Sequence, residues 1–203
     1  MDKKQLDFDE INRLEYEDWF DEMDIEDAAF ERRVKAAIAF DNRIGAILAW
    51  IDRSRPSVRV MYDRLYNAYL SVLQDLGLTG DALEERAISF AEEVTKSTER
   101  HRNDIGGYWT SADRAAEIAK NESGVVNNDT EFREAKRKGK TKKTWHTMGD
   151  EKVRETHFPM DGVTVGIDEF FDVGGYDMLF PLDGEHGAPP EEIINCRCWV
   201  TYS

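Results

Sequence analysis

The chain changes character once, after Lys143, and that change limits what it can fold into. Upstream, apolar residues recur at three- and four-residue steps, the spacing of one face of an α-helix. Val34, Ile38, Phe40, Ile44, Ile47, Leu48 and Ile51 predict a helix from Ile25 to about Arg53, with Asp24 as its N-cap, and Pro56 ends it near Arg55. A second helix is expected from Ser57 to Leu76, with Val60, Leu65, Tyr69, Val72, Leu73 and Leu76 inward and Gly77 as its stop. A third starts at Asp81 or Thr79 and runs to His101, and a turn follows at Gly106-Gly107. Ser111 caps a fourth, which continues towards Lys138 with a break near Gly124.

Downstream of Lys143 the signals are short and mixed. In TWHTMGDEKVRETHFPMDGVTV (144–165), Asp150 can cap a short helix, DEKVRETH, so that Trp145, Asp150, Arg154 and His157 fall within a few turns. Asp161-Gly162 then turns into a strand through Val163, Val165 and Ile167. Residues 172–190 are rich in Gly and Pro and read as loop with one short strand, Met178 to Pro181. In the final stretch Ile194, Cys196, Cys198, Val200 and Tyr202 alternate with Asn195, Arg197, Trp199 and Thr201, as on a strand. The fold class expected is α+β: a helical N-terminal region, then a small α+β domain with a short, mostly antiparallel sheet. The domain boundaries expected are an acidic arm at 1–24, a helical region at 25–107 and the C-terminal domain at 108–203.

Charge narrows the partners. The net charge of −15 over 203 residues is uneven: 13 acidic against 3 basic residues in 1–31, 17 against 21 in 32–143, and 12 against 3 in 144–203. Acidic ends repel phosphates and oppose broad nucleic-acid wrapping. The acidic arm reads either as a solvated tail or as a segment that orders on a partner through Trp19 and Phe20. Arg133, Lys136, Arg137, Lys138, Lys140, Lys142 and Lys143 place seven cations in eleven residues, a solvated linker or a contact for DNA backbone or an acidic protein surface. No apolar run is long enough for a membrane span, and the N-terminus does not read as a secretory signal. Two cysteines give no disulfide framework.

The residue types that carry chemistry concentrate at the C-terminal end. Cysteines two apart on a strand point the same way, with Cα atoms about 6.5–7 Å apart, at or beyond the long limit for a disulfide. Cys196 and Cys198 therefore read either as small buried residues filling a tight contact or as two thiolates on one zinc, with His157 or His186 completing the set. Arg154 and His157 near Asp150, with Glu122 upstream, fit acid–base or phosphodiester chemistry or else a buried polar network. No Ser or Cys nucleophile with a matched His and no phosphate-cradling Gly loop is evident. Trp145 and Trp199 read as core.

The order of these residues resembles the head-morphogenesis, or minor head, proteins of tailed bacteriophages typified by phage Mu protein F. The resemblance runs through RAAEIAKNE (114–122), with Arg114 and Glu122 matching and Asn121 where the family usually has Thr. It continues through W-x4-D-x3-R-x2-H (Trp145, Asp150, Arg154, His157), the Asp161-Gly162 turn, a Gly- and Pro-rich loop, and INCRC with Asn195, Cys196, Arg197 and Cys198. It covers about residues 110–203 and implies a structural component of the virion head, assembled in the bacterial cytoplasm. Such a protein associates with portal or major capsid protein, and with packaged DNA, in head assembly, DNA packaging or delivery. It implies no catalytic residues, no small-molecule substrate and no membrane. The chain ends five residues after NCRC, so no fused effector domain is expected. The competing expectations are a small α+β enzyme, nuclease or ADP-ribosyltransferase-like, with His157 and Glu122 at an open cleft, and a zinc-stapled interaction domain. No cofactor is expected apart from that zinc.

Overall fold

The structure, a computed structural model, describes residues 13, 16–17, 27–104 and 106–203. Trp19 and Phe20, the expected anchors of the acidic arm, and Asp24, the expected N-cap of the first helix, lie outside the described residues. From Asp27 on, the described residues form four long helices: α1 (Asp27–Ser54), α2 (Val58–Asp75), α3 (Asp81–Arg100) and α4 (Ala112–Arg137). They are followed by β1 (Lys142–His146), β2 (Thr164–Gly166), β3 (Phe171–Val173), β4 (Tyr176–Met178), a one-turn helix α5 (Pro190–Ile193) and β5 (Trp199–Tyr202). The architecture is α+β, as the residue spacing predicts.

The described residues form two compact units, one built on Val34–Ser123 and one on Gly124–Ser203 with α1 up to Arg33. The division falls inside α4, between Ser123 and Gly124, and differs from the expected boundary at 107/108. The Gly106-Gly107 turn does not separate the units, because Arg114 of α4 bonds back to Ser97 and Thr98 at the end of α3.

The first unit is built from apolar helix faces. Phe40, Ile44 and Leu48 of α1, Leu65, Tyr69 and Val72 of α2, and Ala87, Phe90 and Ala91 of α3 are buried. Tyr69 sits between two rings, 4.9 Å from Phe40 and 5.0 Å from Phe90. Val60, expected inward, is 42% exposed. The inward position of that turn is Met61, which continues the four-residue ladder to Leu65, Tyr69 and Leu73.

In the second unit β1 is the central strand. It pairs antiparallel with β2 (Thr144 opposite Thr164) and with β5 (Trp145 opposite Val200), and β3–β4 form a separate hairpin. Trp145 is therefore on a strand, not on the expected helix. Its indole is fully buried, edge-on to Phe171 at 5.2 Å.

Three further expectations are corrected. The segment after Asp150 forms turns and a short 3-10 helix (Phe158–Met160), because Asp150 is drawn to Arg197 and Arg154 to the Ile194 carbonyl, and Pro159 has no N–H with which to continue a helix. The short strand expected at Met178–Pro181 lies earlier, as β4, paired across the Gly174-Gly175 turn. Helix α4 runs unbroken through Gly124; a Cβ at that glycine would stand 2.3 Å from Leu182 Cδ1, so the residue admits a close approach and does not interrupt the helix.

Candidate functional site

Asp150, Arg154 and His157 of the 145–157 string each have a partner in or beside the 192–200 string. The Asp150 carboxylate takes two hydrogen bonds from Arg197 Nη2, at 2.7 and 2.6 Å, and these hold its carboxyl below the usual carboxylate range. Arg154 donates to the Ile194 carbonyl. His157 Nδ1 faces both Cys196 Sγ and Cys198 Sγ, each at 3.5 Å. Trp145 pairs with Val200 across the sheet and meets the His157 ring edge-on at 5.7 Å. The Asp161-Gly162 turn closes the β1–β2 connection: Gly162, at φ +76°, donates to the Trp145 carbonyl at 2.8 Å, and Asp161 Oδ1 accepts from the Thr147 amide at 2.8 Å.

The cysteines reach this site by a route other than the expected strand. Chain pairing in β5 begins only at Trp199. Before it, α5 ends at Ile193 and Asn195 takes a left-handed conformation at φ +61°, a conformation Asn tolerates better than most residues. The resulting turn sends Cys196 and Cys198 inward and Arg197 across to Asp150. His157 is 1% exposed and the two cysteines 9% and 5%, with neither in a disulfide. The Cys198 thiol and the imidazole, set against Cys196, hold its thiol well below the ordinary cysteine range; Cys198, the donor of that pair, is pushed up.

Two residues of this arrangement escaped the sequence reading. Glu192 Oε2 lies 3.0 Å from His157 Nε2, and Thr156 Oγ1 donates to the same oxygen at 2.7 Å. The available signal was the acidic pair Glu191-Glu192 just before INCRC, which reads as solvated charge until the turn brings it back over His157. His186, the alternative zinc ligand, bonds instead to Asp183 at 2.8 Å.

The rest of the set belongs to the helical unit. Arg114 is 4% exposed, donates to Thr98 Oγ1 (2.8 Å) and Ser97 Oγ (2.6 Å), and burial lowers its pKa to about 10. Glu122 is 3% exposed and accepts from Arg86 and from the Tyr69 hydroxyl at 3.0 Å. Burial acts to lower the Arg86 pKa, and the Glu122 charge outweighs it, so the guanidinium is held firmly charged. Glu122 is thus committed to Arg86 and Tyr69, and the carboxylate on His157 is Glu192.

The basic run resolves into two kinds of residue. Arg133 pairs with Asp129 (2.7 Å), Lys136 with Asp168 (2.5 Å) and Lys138 with Glu134 (3.7 Å). Arg137, Lys140 and Lys142 are exposed. Lys143 is corrected as a surface contact: it is fully buried, donates to the Leu179 carbonyl at 2.8 Å, and lies 5.3 and 5.1 Å from the Phe132 and Phe171 ring centroids.

With that geometry in place, comparison with known proteins gives one family. The profile of phage Mu protein F-like proteins matches residues 83–201, more than half of the chain. The chain belongs to the phage Mu protein F-like family. The match takes in both cross-linked strings and, upstream of the expected span, α3 with Arg86. Membership makes this a phage head-morphogenesis protein. No curated protein and no solved structure matches the chain. No described helix is long and apolar enough to cross a membrane.

Proposed function

We propose that this chain is a structural minor head protein of a tailed phage or prophage, engaging the portal or inner capsid during head assembly, packaging or DNA delivery, and that it catalyses no reaction. The observation that carries the proposal is the family match over 83–201, which contains every polar residue a catalytic reading would use. Within that span those groups are committed to one another: Asp150 to Arg197, Arg154 to a main-chain carbonyl, Glu122 to Arg86. Groups held in such pairs specify a shape. The charge pattern supports a protein partner over DNA, since Arg133, Lys136 and Lys138 face neighbouring carboxylates and Lys143 is buried, which leaves Arg137, Lys140 and Lys142 of the seven cations for a phosphate backbone.

The test is mass spectrometry of density-purified virions and of empty procapsids from the source phage or induced prophage. A few copies per particle in both supports a built-in head component. Absence from both overturns the proposal, as does nuclease or ADP-ribosyltransferase activity of the purified chain that His157→Ala abolishes while leaving the fold intact.

A further inference from the structure

We propose that His157, Cys196 and Cys198 hold a zinc ion that staples the 145–160 segment to the NCRC turn. The inference rests on donor geometry and stands independently of the role in the head.

The three donor atoms lie within 4.8 Å of one another, and each sulfur is 3.5 Å from the same imidazole nitrogen. A tetrahedral zinc with Zn–S near 2.3 Å and Zn–N near 2.05 Å separates sulfur from nitrogen by about 3.6 Å, so both sulfurs already stand at the nitrogen distance of such a site. Hydrogen bonding alone accounts for this less well. One nitrogen lone pair accepts one thiol proton along its axis, yet two sulfurs approach Nδ1 equally.

The far side of the ring supplies a second observation. Glu192, itself held by Thr156, accepts from His157 Nε2. A proton on Nε2 leaves Nδ1 with its lone pair aimed at the sulfurs, and a carboxylate behind a histidine is the usual outer support of a metal-bound imidazole. A third is Trp145. Its buried indole N–H finds no acceptor of full hydrogen-bond geometry among the described residues. A metal-bound thiolate is the electron-rich neighbour this donor lacks. Two thiolates and an imidazole select zinc over the hard cations. The three donors line a small open pocket together with Met148, Val153, Arg154 and Asn195, among others, which leaves room for water or an outside donor as a fourth ligand.

The test uses the full chain, purified under reducing conditions and equilibrated with micromolar zinc. Elemental analysis is expected to give about one zinc per chain, released when both thiols are modified with an organomercurial. Cobalt substitution is expected to give the intense visible bands of a tetrahedral thiolate site. Because Cys196→Ser or His157→Ala can unfold the domain, Glu192→Gln serves as the second variant. It leaves all three ligands in place and is expected to weaken zinc affinity about 10- to 100-fold, the range found when the carboxylate behind a ligand histidine is removed. Folded wild-type chain that binds no zinc, or binds it without protecting the two thiols, overturns the proposal. So does an affinity unchanged in Glu192→Gln.

Discussion

Each unit is held together internally by its own means. In the helical unit, long periodic faces bury aliphatic side chains over many turns, and no single contact fixes the arrangement. In the second unit the strands are only three to five residues long, too short to specify their own pairing. Their register depends on a few named closures: Gly162 on Trp145, Arg197 on Asp150, Arg154 on Ile194. A long helix tolerates the loss of one contact because its neighbours on the same face remain. A sheet this small has no such reserve, and loss of one tie releases a whole segment.

The sharpest way to break the second unit is Trp145→Ala. The indole is fully buried between Phe171, His157 and the sheet, so its removal is expected to cost about 3–5 kcal/mol in urea unfolding. A loss below about 1 kcal/mol would show that this side chain does not organise the unit. In the helical unit a comparable loss is expected at its buried ion pair. Glu122→Ala leaves Arg86 charged and largely buried, with only the exposed Glu93 carboxylate 3.7 Å away, at up to about 3–5 kcal/mol. Replacing Glu122 and Arg86 together by Leu and Met is expected to recover most of that loss. If the double variant is as unstable as the single one, the pair matters for something other than compensating a buried charge.

A smaller effect is expected at the junction. Gly124→Ala gains about 0.5–1 kcal/mol of helix propensity, but its methyl must displace Leu182, which is itself held at φ +71°. Overpacking of this kind costs about 1–3 kcal/mol, so the net change is expected to be destabilising, and Gly124→Ala combined with Leu182→Ala should relieve it. A stabilised Gly124→Ala variant would mean that Leu182 has room to move.

These contrasts also explain which parts were legible in the sequence. The four helices follow from spacing because each extends far enough for its period to repeat, and Ser111 does cap α4, accepting from the Arg114 amide at 3.2 Å. Gly124 misled for a physical reason: inside a helix, a glycine that breaks the chain and one that admits a neighbour look alike. The DEKVRETH segment has helical composition, but Arg154 and Asp150 are engaged across roughly forty residues, and those long-range bonds override local preference. The motif residues of the site were visible as a set. Glu192 and Arg86 were not, since each looks like surface charge until its partner is known.

Lys143 tests the same contrast on a finer scale, because composition groups it with six other cations and burial sets it apart. Removal from water lowers its pKa to about 8, with Asp183 and Asp168 opposing part of that shift. The unfolded lysine titrates near 10.4, so below pH 8 both states carry the proton and the folded chain bears the full penalty of a buried ammonium. Between about pH 8 and 10 the folded state releases its proton first, the unfolded state holds more, and stability rises with pH. Lys143→Met removes this term. Unfolding free energy measured at pH 7 and pH 9.5 is therefore expected to rise in wild type relative to Lys143→Met by about 1–2 kcal/mol, allowing for partial screening by solvent. The matching changes at Lys140 and Lys142, which are exposed, should leave the pH response unaltered. If Lys143→Met tracks wild type across that range, the ammonium is hydrated, and the residue belongs with the surface cations after all.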